Sequence, residues 1–419
     1  MLNFKDFNIQ NLNIFLISIL PLGLIVGSLI SNTIIVLICI LFIYELCVKK
    51  NLVYLNQFNF YFLIIINVYL FLNSLFISEN SESLIKSVVF LRFVILVYAI
   101  SYYFIDKGNR ILKVWTILFL IVSFDILFEY SFGKNILGFE SLYEGRISSF
   151  TGDELKIGGY YFGFIFLCLF FLKKYKQKYF LFFSVLFFVI SLLIGERSNF
   201  IKILIMYFLF FAFFYEIKFF KRFLIIIFFI LTSTLLIFSS QNFQDRFIFQ
   251  IINFEKVQIN KDNLNYKQFF KKDINYKKVI SENRHLSHYY VATNIFKENM
   301  LFGSGFKSFR IESGKDKYQK ELIYGASTHP HQFHFEILSE LGIVGYILIF
   351  SNIIYVLSRK FKHKNELIRS ASFLFIIASL IPILPSGSFF TSYGATIFFI
   401  NYSFLIQTNV SNKLKNQSE

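Results

Sequence analysis

Charged residues are few. Asp, Glu, Lys and Arg make up 16% of the 419 residues, against 56% hydrophobic, and the mean hydropathy is +0.58. So little charge excludes a soluble domain of this size, which could not cover that much apolar surface with polar groups. Cysteine is nearly absent too. Cys39, Cys47 and Cys168 all lie in apolar stretches and none has C-x-x-C spacing. They read as small core residues, which excludes a disulfide framework and a thiolate metal site. Proline (4) and tryptophan (1) are rare as well. No basic domain stands apart from the apolar stretches. The net charge of +16, carried mostly by lysines at helix ends, therefore does not indicate a nucleic-acid partner. No small-x-small cleavage pattern accompanies the first apolar stretch, Ile14 to Ile30, which follows Lys5 and Asp6 and reads as a signal anchor. No internal repeat marks a carrier built from inverted halves.

What is present is a series of long apolar runs, rich in Phe (61). A membrane-crossing helix needs about twenty apolar residues. On that measure helices are expected over 12–30, 32–48, 58–77, 84–105, 111–130, 157–172, 179–194, 200–217, 223–239, 334–357, 367–385 and 387–407. The region of Pro382 and Pro385 reads as a break. The expected fold is an all-α polytopic membrane protein of about twelve transmembrane helices, with one large loop between the ninth and tenth. The organisation divides at 1–130 (helices one to five), 131–239 (helices six to nine), 240–333 (the large loop) and 334–419 (helices ten to twelve and a tail).

Orientation follows from where Lys and Arg gather. Lys49-Lys50, Asp106 to Arg110, Lys173 to Lys178, Lys218 to Arg222, Arg359 to Lys364, and Lys413 with Lys415 all fall on one side of that count. That side reads as the cytoplasm, with both termini in it, and the membrane as the bacterial inner membrane. The other side carries the large loop. Its part from Phe254 to Lys278 is rich in Asn, Lys and Tyr and reads as a mobile segment. Its part from Leu286 to Met300 reads as an amphipathic helix. Gly303-Ser304-Gly305 follows no strand and reads as a turn, not a nucleotide loop.

Five of the six histidines (His285, His288, His329, His331 and His334) sit in or beside the large loop. Arginine is scarce, with ten copies, and Arg146, Arg197 and Arg284 fall at connectors on the same outer side, as do Arg246 and Arg310 in the large loop. Such placement runs against the positive-inside tendency. Guanidinium groups bind phosphate bidentately and keep their charge, so the set suits a pyrophosphate ligand. The plainer alternative is that each Arg pairs with a lipid headgroup or a nearby carboxylate, for which Glu144, Asp153, Glu196 and Glu282 are available.

In Ser327-Thr328-His329-Pro330-His331-Gln332-Phe333-His334, Ser327 or Thr328 can cap a helix that Pro330 starts. His331 is then expected in its first turn, where the helix dipole disfavours imidazolium. A neutral imidazole is what a general base requires. The alternative is a hydrogen-bonded interfacial histidine. A zinc site is the competing chemistry, because His331 with His334 and His285 with His288 each have i,i+3 spacing; no Cys or carboxylate joins them at ligand spacing. Inside the membrane, Arg92 and Asp125 stand in the outer halves of adjacent helices. They read either as a mutual ion pair holding the two helices or with Arg92 facing a cavity entered by a lipid phosphate. Glu45 and Lys202, near helix ends, read as snorkelling.

Four stretches together resemble the O-antigen ligase and O-antigen polymerase superfamily of bacterial membrane glycosyltransferases. They are Glu144-Gly145-Arg146-Ile147-Ser148-Ser149-Phe150, Gly195-Glu196-Arg197-Ser198-Asn199-Phe200, Arg284 with Leu301-Phe302-Gly303-Ser304-Gly305-Phe306, and the run from Thr328 to Gly345. The last, with Thr328-His329-Pro330-His331-Gln332-Phe333-His334 followed by an apolar helix, is the most specific. Gln332 stands where Asn is usual and keeps an amide. The resemblance implies a donor glycan on undecaprenyl pyrophosphate, transferred on the periplasmic face without nucleotide or metal cofactor. It implies His331 as the catalytic base and Arg146, Arg197 and Arg284 as the grip on pyrophosphate. Arg92, Asp125, His329, His334 and Gln332 are candidate accessory residues. The acceptor is expected to be lipid A–core (a ligase), another lipid-linked repeat unit (a polymerase) or a protein, with membrane lipid around the site. A carrier or flippase is the rival from another class; it should place polar groups at mid-membrane near broken helices.

Overall fold

The computed structural model describes residues 9–143, 145–152, 154, 156–249, 280–281, 283–319, 322–360 and 367–406. Lys5, Asp6, Glu144, Asp153, Glu282, the stretch from Phe254 to Lys278, residues 361–364, Lys413 and Lys415 lie outside them. Among the described residues the chain is helical and contains no strand, as the expected all-α class requires.

Twelve helices carry the architecture: α1 (Ile9–Val26), α2 (Ser28–Val48), α3 (Phe58–Phe76), α4 (Ser83–Phe132), α5 (Ile157–Tyr175), α6 (Phe180–Leu193), α7 (Arg197–Leu209), α8 (Phe219–Ser239), α9 (Arg284–Glu298), α10 (Phe333–Lys360), α11 (Leu367–Ser379) and α12 (Ser392–Ile406). Eight are long and apolar enough to cross a membrane: α1 to α5, α7 with the turn that follows it, α8 and α10. Helices α6, α11 and α12 are apolar but shorter. Helix α9 is the amphipathic segment expected from Leu286 onward. In hydrocarbon every backbone N–H and C=O must be satisfied within the protein, which is why spans are helices.

Helix α4, Ser83–Phe132, covers two expected spans. A straight helix of 50 residues would be about 75 Å long. The contacts show that it doubles back instead. Asn13 Nδ2 donates to the Tyr103 hydroxyl at 2.7 Å, and Trp115 Nε1 donates to the Ile17 carbonyl at 3.0 Å. Asn13 and Ile17 are about 6 Å apart along α1, whereas Tyr103 and Trp115 would be about 18 Å apart along a straight helix. Phe104 and Trp115 also pack on the same Phe404 ring, at 4.5 and 6.1 Å. The two limbs therefore lie side by side, with the polar run Asp106 to Arg110 at the turn.

Helix α10 is interrupted at Gly342, which adopts φ 66°. The turn at 300–305 occupies the gap. Ile343 N and Val344 N donate to the carbonyls of Met300 and Leu301 (2.9 and 3.1 Å), while Ser304 N and Gly305 N donate to those of Ser339 and Glu340 (2.9 and 3.0 Å). A Cβ on Gly342 would stand 2.4 Å from the Leu301 carbonyl oxygen, so only glycine fits. The glycines of 303–305 thus form a turn, as expected, and one that is stitched into a span.

Several polar side chains of the bundle pair with one another across helices. Tyr402 lies within hydrogen-bond distance of Asn59 and Asn352 (2.8 and 2.6 Å). Glu45 and Lys202 depart from the snorkelling expectation. Both are 3% exposed. Glu45 accepts from Tyr103 and from Lys49, and Lys202 Nζ donates to the Pro385 carbonyl at 3.0 Å. A charge so far from water is held by partners inside the bundle.

Candidate active site

One end of the bundle encloses a cavity of about 1080 Å³. It is lined by parts of chain far apart in sequence: the first limb of α4, the loop before α5, the start of α7, the start of α9, the turn at 306–310, the His329–His331 segment and the connection between α11 and α12. Among the described residues, eight basic side chains line it (Lys86, Arg92, Arg146, Lys156, Lys202, Arg284, Lys307 and Arg310) against one carboxylate, Glu196. An anion is the complement of such a surface.

His331 sits in this cavity, but not in a helix. Helix α10 starts at Phe333, and His331 has φ 58°, in the left-handed region. The helix is capped by Gln332, whose Oε1 accepts from Phe335 N at 3.0 Å. This corrects the expected cap at Ser327 or Thr328. Pro330 fixes its own φ but leaves the next residue free, and Gln332 supplies the acceptor that the first turn needs. The left-handed turn is locked from outside, because Ser386 N donates to the His331 carbonyl at 2.7 Å.

Four imidazoles gather here. The His331 ring centroid is 4.0 Å from that of His329, 5.1 Å from His288 and 5.4 Å from His285. His285 and His288 come from α9, which Asn283 caps by accepting from His285 N and Leu286 N. Burial, then Arg284, holds His285 and His288 down at about 4. Burial, then Lys307, does the same to His329. Burial and the neighbouring imidazoles push His331 to about 2. All four rings are therefore neutral at pH 7. His334 stands apart, with Nδ1 3.0 Å from the Tyr346 hydroxyl and Nε2 2.8 Å from the Leu380 carbonyl oxygen. The His331–His334 pairing of the zinc alternative is thus not formed, since left-handed backbone at His331 takes the two rings off a common helix face. Among the described residues no three His, Cys, Asp or Glu side chains are placed to hold a metal ion.

Behind one wall of the cavity, which Arg146 lines, lies a knot of arginines. Ile147 N donates to the Ile194 carbonyl at 3.2 Å, bringing two loops together. Gly195, at φ 75°, allows the approach, since a Cβ there would lie 2.2 Å from the Gly145 carbonyl oxygen. Arg246 Nε donates to the Gly195 carbonyl at 2.7 Å, and Arg197 donates to the Arg246 carbonyl at 3.2 Å. Burial and the adjoining Arg146 and Arg197 push Arg246 down to about 10. Glu196 lies among them; burial raises its carboxyl, while Arg146 and Asn199 lower it. Of the expected trio, Arg146 and Arg284 line the cavity, and Arg197 stands one layer behind, against Arg246. Arg246 also stands behind this wall, holding the Gly195 carbonyl, although the sequence motifs do not include it. Its scarcity-based signal, an arginine in the outer loop, was the same as that of Arg284.

The Arg92–Asp125 ion pair is not formed. Asp125 accepts from Ile136 N (2.8 Å) and Ser149 Oγ (2.5 Å), and Glu129 accepts from Ser148 N and Ser149 N (3.1 and 2.6 Å). These two carboxylates fasten the loop that presents Arg146. Arg92 faces the cavity instead, donating to Asn32 Oδ1 and Ser392 Oγ at 3.1 and 2.8 Å.

The residues from Pro385 to Gly394 form a continuous edge of the cavity. They lie where α11 passes to α12, in a non-helical stretch longer than the break expected at Pro382 and Pro385, and they touch four cations. Pro385 meets Lys202, Ser388 meets Lys307 (3.1 Å), Ser392 meets Arg92 and Tyr393 meets Lys156. Non-helical backbone at this depth is tolerated where it lines a polar cavity. Glu336 and Glu340, one turn apart on α10, anchor it from behind. Glu336 accepts from Ser388 and from Phe389 N (2.7 Å), and Glu340 accepts from Lys307 N and Phe309 N (3.0 and 3.3 Å).

The sequence model of the O-antigen ligase family matches residues 182–350. That stretch runs from α6 through Arg197, Arg246, Arg284 and His331 into α10. It supports the superfamily resemblance read from the motifs. No curated protein matches the chain.

Proposed function

On the premise of a multi-pass membrane chain that carries an O-antigen ligase domain, we propose that it transfers a glycan from undecaprenyl pyrophosphate to a hydroxyl of an acceptor sugar. The observation that carries this reading is the sharing of one cavity by His331, Arg146 and Arg284. The acceptor oxygen attacks the anomeric carbon and its proton passes to the His331 imidazole. The bond from that carbon to pyrophosphate breaks, and the arginine wall takes up the departing charge. Pyrophosphate is a good leaving group once its charge is neutralised, so positioning and electrostatics supply most of the rate. A base whose pKa is near 2 is weak. The incoming pyrophosphate strengthens it, because a negative charge beside the ring favours imidazolium against the burial and the neighbouring cationic field that disfavour it. The base is thereby strengthened when the donor is in place.

The reaction is assigned to the periplasmic face of the bacterial inner membrane, with the lysine-rich ends of the spans in the cytoplasm. Lipid A–core as acceptor makes the chain a ligase; a second lipid-linked repeat unit makes it a polymerase. The break between α11 and α12 is a feature carriers also use, but here the cations around it gather at one end of the bundle, beside the imidazoles. The test is removal of the gene followed by gel analysis of surface polysaccharide. Lipid A–core without polymer supports the ligase, and a single capped repeat unit supports the polymerase. An unchanged pattern refutes both.

A further inference from the structure

We propose that the cavity holds a second anion site, built from the Arg92 guanidinium, the Lys307 ammonium and the hydroxyls of Ser388 and Ser392, which takes an anionic group of the acceptor. It rests on the assignment of the donor pyrophosphate to Arg146 and Arg284.

Arg92 is the starting point. It lies in an apolar limb of α4, where a charge needs a partner. Among the described residues no carboxylate lies within ion-pair distance of it. Its bonds go to a neutral amide and a neutral hydroxyl, and its Nε is buried without a partner. The one carboxylate the sequence offers in this part of the bundle, Asp125, is committed to the loop at 136–149. Arg92 thus brings to the cavity a charge that the protein does not neutralise.

Lys307 shares the same floor. The Arg92 guanidinium lies 4.9 Å from the Phe93 ring centroid, and Lys307 Nζ lies 5.9 Å from that of Phe390. Phe90 joins the two rings, at 5.1 Å from Phe93 and 5.7 Å from Phe390. Both cations therefore stand over one aromatic surface, whose low polarity strengthens attraction for an anion. Lys307 is partly compensated, with Glu336 3.7 Å away and buried behind it. Arg92 supplies the net charge and Lys307 the second donor. Ser388 and Ser392 come from one segment and place their hydroxyls against Lys307 and Arg92 in turn.

This site is separate from the arginine wall. The two are built on different elements: Arg92 and Lys307 are bridged by the hydroxyls of the 388–392 segment, whereas Arg146 sits on the loop held by Asp125 and Glu129 and joined to Ile194. A neutral acceptor glycan would have no use for an unneutralised guanidinium there. The acceptor class is therefore a glycan bearing phosphate, pyrophosphate or carboxylate.

The experiment is titration of inorganic pyrophosphate into the full chain in phosphatidylcholine nanodiscs. Two sites per chain are expected. Arg92→Gln should weaken one by roughly 10- to 100-fold, the loss of a charge-assisted contact, and Arg92→Lys should recover part of it. Retention of the other site shows that the variant is folded. The double variant Arg146→Gln/Arg284→Gln should weaken the other site alone. A single site that ignores Arg92→Gln overturns the proposal. If Arg92→Gln removes a site but the double variant removes none, the donor assignment fails and the second site stands. Competition at the Arg92 site then separates two sources of the anion: farnesyl pyrophosphate ahead of inorganic pyrophosphate indicates a lipid-borne group, and glucose 6-phosphate or glucuronate indicates a sugar-borne one.

Discussion

Replacing His331 separates two things that its position combines: the imidazole and the left-handed backbone at φ 58°. Asn adopts that backbone readily, whereas Ala pays about 1–2 kcal/mol for it. His331→Asn should therefore leave stability close to that of the parent and remove only the base. Loss of a general base typically costs roughly 10²- to 10⁴-fold in rate, or about 2.7–5.4 kcal/mol of barrier. His331→Ala should show the same rate loss with a lower Tm, because its backbone term adds to the unfolding balance. His334→Ala provides the contrast. It gives up two hydrogen bonds, to Tyr346 and Leu380, and should cost about 1–3 kcal/mol of stability while leaving the folded fraction active. The assay is single-turnover transfer from a lipid-linked oligosaccharide in nanodiscs, read beside the thermal unfolding of the same samples. Parental turnover by His331→Asn would refute the assignment of the base. So would activity in His331→Ala that falls only in step with its folded fraction.

The imidazole cluster also predicts a pH dependence of stability. Folding holds His285, His288 and His329 down at about 4, below the ordinary value near 6.5. As pH falls from 6.5 toward 4, the unfolded chain takes up protons that the folded chain refuses, so stability should fall across that window. His288→Gln should lose less Tm than the parent between pH 7 and pH 4; an equal or larger loss contradicts the cause given. Gly195→Ala puts a Cβ against the Gly145 carbonyl oxygen in a left-handed turn. It should lower Tm and weaken donor binding together, since the same contact presents Arg146; a Tm equal to the parent's would sink the account of the two loops. Reporter fusions after Lys176 and after Asn263 should report opposite sides of the membrane, and the same side for both would overturn the assigned orientation.

The spans were legible because hydrocarbon imposes one rule on long apolar runs, and the histidines and arginines were legible by their placement. The limits are as physical. The region of Pro382 and Pro385 shows as a break in sequence, but its role as the edge of the cavity depends on Lys202, Lys307, Arg92 and Lys156 arriving from four other segments. Nothing within the segment announces them. Gln332 and not Ser327 caps α10, because the left-handed turn at His331 moves the helix start by three residues, from Pro330 to Phe333. Sequence spacing cannot reveal a turn that is locked by Ser386. Arg92 and Asp125 looked like partners because adjacent helices put them at one depth. The loop amides and hydroxyl at 136–149 outcompete the guanidinium for the carboxylate. Glu336 and Glu340 have the i,i+4 spacing of one helix face, yet spacing alone does not tell a buried anchor from a surface pair.

The gap in α10 at Gly342 has a mechanical consequence. With residues 300–305 hydrogen-bonded to the helix on both sides of the break, that part of the outer loop and the upper half of α10 form one rigid piece. Helix α9 leads directly into this piece, so the imidazoles it carries keep their distance from His331 whatever the rest of the loop does. The non-helical strip between α11 and α12 is tied to the same piece, because Ser386 N holds the His331 carbonyl and Glu336 of α10 holds Ser388 and Phe389 N. The turn that carries His331 and this edge of the cavity are thus borne together on one stiff element, and a substitution that cuts the ties between them should loosen both at once.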